Sequence, residues 1–282
     1  MKKPNFFLVG APRCATTSMY LYLKQHPEIF LSLLKEPIFF GSDLSRQPLA
    51  VTDEAEYLSL FAEADGYPAV GEGSVFYLMS ATAPGEIESF APGSKILILL
   101  RQPFEMMQSI HALYLRTGNE DIADFGEALA AEPDRAAGRR LPPGVYFPEG
   151  LRYRWEAHYA PQVKRYLDVF GPERVHVTIF DDLRDEPLRA YRGILEFLGV
   201  DPEFEPEFDE RRGTDRIRGR VLRQMRNATP EVLKKVKTGK RAHMGPKPAV
   251  PPGLRERLRA ELRPEIDELS ALLGRDLSAW YA

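Results

Sequence analysis

The chain has 282 residues, 44% of them hydrophobic and 28% charged, which fits one large globular domain. A formal net charge of −3 gives no global attraction to nucleic acid or anionic membranes, so an anionic ligand must meet positive charge concentrated locally. The single cysteine, Cys14, excludes an intrachain disulfide, and the N-terminal apolar run Phe6–Val9 is too short for a signal peptide or a membrane span, so a cytoplasmic location is expected.

Phe6-Phe7-Leu8-Val9, closed by Gly10, is the continuous apolar run of a strand buried on both faces of a parallel sheet. Thr16 to Gln25 predicts a helix, with Met19, Tyr20 and Leu23 apolar and a stop at His26-Pro27. Ala69-Val70-Gly71 is a weaker strand candidate. Lys95 to Leu100 is a second buried strand, followed by Arg101 and a helix from Pro103 to about Arg116. Residues 118–150 predict a partly helical excursion that covers a site. Residues 150–170 predict a helix with Tyr153, Ala157, Ala160, Val163 and Leu167 on one side. Val175 to Phe180 is the third strand, then a turn at Asp181-Asp182-Leu183 and a helix from Pro187 to Leu198. Beyond 205 the chain turns basic, with seven arginines in 211–226 against Asp215 and no acid in 232–255. Pro252 to Leu273 is an amphipathic helix that Trp280 packs down. Alternating strands and helices predict an α/β fold on a parallel sheet with right-handed crossovers.

Three motifs carry chemistry. Gly10-Ala11-Pro12-Arg13-Cys14-Ala15-Thr16-Thr17-Ser18 joins a buried strand to a helix, where backbone N–H groups and the helix dipole converge on an anion. Arg13 adds fixed charge, and the three hydroxyls add donors. A Walker A loop would need glycine at Ala15 and lysine at Thr16, so a phosphotransferase is disfavoured, though it remains the alternative beside a non-catalytic nucleotide-binding module. Lys35-Glu36-Pro37-Ile38-Phe39-Phe40 sets a carboxylate among aromatic rings, a setting for a general base and equally that of a surface Lys-Glu pair. Arg101 stands at the carboxyl end of a strand, where open α/β sheets bind ligands, and Ser109 lies two turns into the following helix.

In this order the three motifs resemble those of sulfotransferases that use 3′-phosphoadenosine 5′-phosphosulfate (PAPS), in the heparan-sulfate-type and bacterial branch. The resemblance covers most of residues 5–200 and the last thirty, including Leu-Gly-Arg-Asp-Leu-Ser-x-Trp at 273–280. It implies a P-loop-like three-layer fold with a central parallel sheet flanked by helices, and one domain over 1–282, with 118–150 and 205–250 as variable segments over acceptor and cofactor. It implies that Thr16, Thr17, Ser18 and the backbone at Cys14 and Ala15 hold the 5′-phosphosulfate, and that Arg13 stabilises the leaving phosphate. Arg101 and Ser109 would then hold the 3′-phosphate. Glu36 would be the base, with Lys35 near the sulfuryl oxygens. His111 is the reserve candidate for the base. No metal is required, because fixed cations do the electrostatic work. Two departures stand out: arginine replaces the frequent lysine at 13, and alanine replaces glycine at 15, which asks that Ala15 avoid a strongly positive φ.

Weaker signals remain. Gly71-Glu72-Gly73-Ser74 with Tyr77 resembles a family segment near the acceptor, and Glu72 suits an orienting or a structural role. Lysines and Arg241 in 234–247 suit a clamp on the 3′-phosphate or a solvated basic face. Tyr114, Tyr146, Phe147 and Tyr153 suggest an aromatic-lined pocket, which suits a small-molecule, lipid or glycan acceptor.

Overall fold

The computed structural model describes residues 2–48, 50–208 and 250–282. Five strands, β1 (Phe6–Gly10), β2 (Ile29–Leu31), β3 (Ala69–Gly73), β4 (Lys95–Leu100) and β5 (Val175–Ile179), form one parallel sheet in the order β2-β3-β1-β4-β5. All of β1, and all but the first residue of β4, are buried. Successive side chains point to opposite faces, so helices must cover both faces of the sheet. The apolar runs thus give the expected α/β sheet flanked by helices.

Helix α1 (Thr16–Leu23) follows β1, α2 (Glu54–Ser59) precedes β3, and α3 (Ala83–Phe90) precedes β4. Helix α4 (Pro103–Thr117) opens on a proline, with the Gln102 side chain accepting from Glu105 N at 2.7 Å, and closes on Gly118 at φ 78°. Helices α5 (Phe125–Ala130) and α6 (Glu132–Ala136) give the excursion at 118–150 its predicted partly helical form. Its interior is ionic. Arg135 and Glu120, both side chains fully buried, form a two-pronged pair at 2.7 and 2.6 Å, and the Tyr153 hydroxyl donates to Glu120 Oε2 at 2.7 Å. The C-terminal helix Leu254–Leu273 packs on α4 and on α8 (Tyr159–Phe170).

Several boundaries differ from expectation. The three-residue edge strand β2 has no sequence signal of its own and follows the Pro27 stop. Helix α1 ends at Leu23, short of Gln25. The expected helix over 150–170 is two, α7 (Tyr153–Ala157) and α8, because His158 leaves the helical region at ψ 78°. The third strand stops at Ile179, and the expected turn is a short helix, α9 (Phe180–Asp185), before α10 (Pro187–Leu198). The basic runs at 211–226 and 234–247 lie outside the described residues, as does most of 205–250.

Candidate active site

The strand order creates a crevice. The chain leaves β1 toward β2 on one side and leaves β4 toward β5 on the other, so the two neighbouring strands diverge at their carboxyl ends. Open α/β sheets bind ligands at such a point. The loop carrying Arg13 follows β1, and Arg101 follows β4.

The β1 loop turns tightly. Gly10 has φ 144°, and a Cβ there would lie 2.7 Å from Leu99 O, so only glycine lets β1 leave the sheet against β4. Arg13 and Ala15 then adopt left-handed backbone at φ 64° and 62°. The expectation that Ala15 avoids positive φ is therefore wrong. The left-handed turn is kept at the family's glycine position despite the Cβ, and such strain persists where surroundings over-determine it. Ala15 stands at the helix cap with no side-chain acceptor, and the first turn of α1 contains no acid. Thr16 is buried, Ser18 half-buried and Thr17 exposed. Cys14 is fully buried, with Sγ toward Pro12 O at 3.5 Å, and burial pushes its thiol far above the ordinary range. It packs the loop and is no nucleophile.

The first and third motifs meet. Arg13 Nε donates to Ser109 Oγ at 3.0 Å, and Arg101 Nη1 reaches Arg13 O at 3.4 Å. Arg101 also pairs with Glu105 at 2.6 Å, one helical turn on, and lies 4.4 Å over the Phe180 ring. Burial first, then the neighbouring guanidiniums of Arg116 and Arg101, pull Arg13 below its ordinary value. The three guanidiniums thus act on one another, with Arg101 held by Glu105. Arg116 was missed in sequence, because an arginine closing a helix reads as a partner of the helix dipole.

Glu36 sits on the same edge of the sheet. The chain between β2 and α2 brings its N–H to Gly73 O at 2.9 Å, and Glu36 Oε2 accepts from Val75 N at 3.0 Å. Lys35 pairs with the other oxygen, and both side chains keep partial exposure, 21% and 29%. Phe39 and Phe40 anchor the segment in an aromatic cluster, Phe39 stacking on Tyr57 at 4.3 Å and Phe40 meeting Phe7 edge-on at 5.8 Å. Glu72, two residues before Ser74 on β3, is fully buried behind this segment.

A cavity of about 290 Å³ opens beside the anion loop, lined by Ala15, Ser18, Tyr22, Phe180, Leu183 and Phe208. The C-terminal segment braces its neighbourhood: Arg275 forms a two-pronged pair with Asp182, Trp280 Nε1 donates to Asp181 Oδ2 at 3.2 Å, and Gln102 Nε2 donates to Trp280 O at 2.8 Å. The aspartates of the expected turn are thus anchors, and Trp280 does pack the tail down.

Other candidates lie elsewhere. His111 is fully buried between Phe125 and Tyr153, with Nε2 at 2.9 Å from Ile122 O, and burial lowers its pKa. Tyr114, Phe147 and Tyr153 belong to the core and do not line an open pocket, while Tyr146 is half-buried. Among the described residues no helix is long and apolar enough to cross a membrane.

No family model matches the chain. In sequence it is 27% identical over 249 residues to carbohydrate sulfotransferase 15 of Rattus norvegicus, covering 71% of the chain and 44% of that protein. It is 25% identical over 217 residues to bifunctional heparan sulfate N-deacetylase/N-sulfotransferase 4 of Mus musculus, covering 71% of the chain and 23% of that protein. The chain thus spans less than half the length of these curated relatives. Among solved structures it is similar to a sulfotransferase from Alicyclobacillus acidocaldarius, at 32% identity and a TM-score of 0.78 over 100% of both chains.

Proposed function

The chain belongs to the sulfotransferase family, and from that premise we propose that it moves the sulfuryl group of PAPS onto a hydroxyl or amine of a saccharide, by in-line displacement with Glu36 as base. One observation carries the assignment of the donor: the hydrogen bond from Arg13 Nε to Ser109 Oγ, which joins the loop after β1 to the helix after β4 in one anion site. A donor with phosphate at both its 3′ and 5′ positions fits a site fed from two strands. The uncapped start of α1 suits the 5′-phosphosulfate, with Thr16, Thr17, Ser18 and the backbone of Cys14 and Ala15 around it. Arg101 and Ser109 suit the 3′-phosphate, and the cavity walled by Tyr22, Phe180 and Phe208 suits a flat base. PAPS would supply an already activated sulfuryl group, with adenosine 3′,5′-bisphosphate leaving as its S–O bond to phosphate breaks.

The chain's own groups do the rest. Glu36 takes the proton from the attacking acceptor, beside a lysine that holds the carboxylate in place. Arg13 neutralises charge on the oxygen that bridges sulfur and phosphorus, with Arg116 and Arg101 adding to the local field. Lys35 is within reach of the same segment as Glu36 and suits the sulfuryl oxygens. The saccharide acceptor is favoured by the names of the sequence relatives, and a phenol or lipid is the weaker reading. In this reading the whole chain works as one domain, with 118–150 over the acceptor.

The test is incubation with 35S-labelled PAPS, without added metal, and a panel of chondroitin and heparan-type oligosaccharides, phenols and lipids. Label on an oligosaccharide supports the proposal, and E36Q is expected to lower kcat by about 10²–10⁴. Tight nucleoside triphosphate binding with no saturable PAPS binding refutes it. Label on phenols or lipids alone refutes the acceptor class.

A further inference from the structure

Residues 36–40 follow a backbone that their own side chains resist. Glu36 has φ 61° and Ile38 φ 50°. A β-branched residue at positive φ is a steric outlier, and each such residue costs about 1–3 kcal/mol unless its surroundings hold it. The restraints come from the end of β3 and the 3-10 turn Val75–Tyr77. Glu36 N donates to Gly73 O at 2.9 Å, and Ile38 N donates to Ser74 Oγ at 3.2 Å. Phe39 N and Phe40 N both donate to the Tyr77 hydroxyl, at 2.8 and 3.3 Å. Four of the five residues of the stretch that carries Glu36 are thus tied down through their amides, all but Pro37, which has none.

Two of these restraining side chains lead to Glu72. The Ser74 hydroxyl has one proton, and it goes to Glu72 Oε2 at 3.0 Å, which turns the Ser74 lone pairs toward Ile38 N. Tyr77 lies close enough for its hydroxyl and the Glu72 carboxyl to influence each other, although Glu72 Oε1 has no hydrogen bond in good geometry. Glu72 itself is fully buried. The titratable groups within its electrostatic reach are Tyr20 from α1, Tyr57 from α2, Tyr77 from the 3-10 turn, Tyr166 from α8, and Glu36 and Lys35 from the strained segment. A carboxyl in such a cage, with one oxygen lacking a partner, is not there to stabilise the fold, because an apolar residue of similar size fills the space at less cost.

We propose that Glu72 is a positioning residue for the transfer: acting through Ser74 and Tyr77, it fixes the backbone of residues 36–40 and so aims the Glu36 carboxylate. This rests on the reading of Glu36 as the base. Burial pushes Glu72 up to about 8, so at neutral pH it holds a proton and does not compete with Glu36 for Lys35. Above that pH it ionises, and a second negative charge enters a cage built around a neutral group. The transfer is expected to fall off there.

The experiment compares wild type, E36Q, E72Q and E72A. It measures kcat and the PAPS KM with the fastest-labelled oligosaccharide of the panel, pH profiles from 6 to 10, and thermal melts. Glutamine mimics a protonated glutamate, so E72Q is expected to keep kcat within about threefold at pH 7 and to lose the decline near pH 8. E72A is expected to lose kcat about a hundredfold with the PAPS KM unchanged, the scale of a small misplacement of a catalytic group. A folded E72A with near-normal kcat and an unaltered profile, beside an inactive E36Q, overturns the positioning role and leaves the base standing. An active E36Q overturns the base assignment and the inference with it. If E72A does not fold, E72Q decides: an alkaline decline like that of wild type overturns the proposal.

Discussion

Ala15→Gly is expected to stabilise the protein. Ala15 holds φ 62° and ψ 17° at the start of α1. Left-handed backbone costs an L-residue about 1–2 kcal/mol, and glycine escapes that penalty. Glycine also loosens the unfolded chain, which returns about 0.4–1 kcal/mol of the gain. The net is about 0.5–1 kcal/mol. A chain somewhat longer than 150–250 residues converts this to a rise in Tm of about 1–3 °C. Scanning calorimetry of wild type, A15G and A15V checks it, valine serving as the opposite control because branching at Cβ worsens the strain. Saturating PAPS is expected to raise both melting points by the same increment, since the loop's amides are untouched. An A15G melt below wild type refutes the reasoning, because it means that the alanine methyl contributes more than the strain costs.

Two further outcomes follow from the same geometry. S109A is expected to weaken PAPS binding by about 10–150-fold, the scale of a hydrogen bond to a charged group, and to weaken adenosine 5′-phosphosulfate, which lacks the 3′-phosphate, less, through the lost acceptor for Arg13; calorimetric titration with both donors checks this, and equal losses refute it. E156Q addresses stability against pH. Glu156 is fully buried with both carboxylate oxygens unpartnered, and burial, then the charge of Glu132, raises it well above its ordinary 4.5. The folded chain therefore keeps a proton that the unfolded chain releases, so stability falls as pH rises above about 4.5. The Tm advantage of E156Q is expected to be near zero at pH 4 and to widen toward pH 8; a gap independent of pH refutes it.

The fold was legible where physics acts locally. Continuous apolar runs at Phe6–Val9 and Ile96–Leu100 suit strands covered on both faces, and the structure buries them so. Ile29–Leu31 left no trace, because three residues carry no period and the strand exists through pairing with Ala69–Gly71. The break at His158 was legible but not read: Pro161 has no N–H to give to Ala157 O, so one helix cannot run through this stretch. In the candidate site, Arg13 was named from the chemistry of the loop, and Arg101 with Ser109 from the resemblance, and the structure brings the three into contact. The positive φ of Ala15 escaped because an alanine in a sequence carries no sign of left-handed backbone. The aromatics Tyr114, Phe147 and Tyr153 misled for a related reason: a tyrosine reads the same in a pocket wall and in a core. Glu72 was visible as a motif, but its burial was not.

The buried pair of Glu120 and Arg135 bears on how this protein can be recombined. A test of whether 118–150 covers the acceptor would transplant that segment from a relative. That block carries both charges of the pair but leaves behind Tyr153, whose hydroxyl donates to Glu120. A mosaic with a crossover between 120 and 135 is worse, since an unmatched charge in the interior costs about 3–5 kcal/mol. Viable chimaeras must therefore inherit this stretch whole, through residue 153.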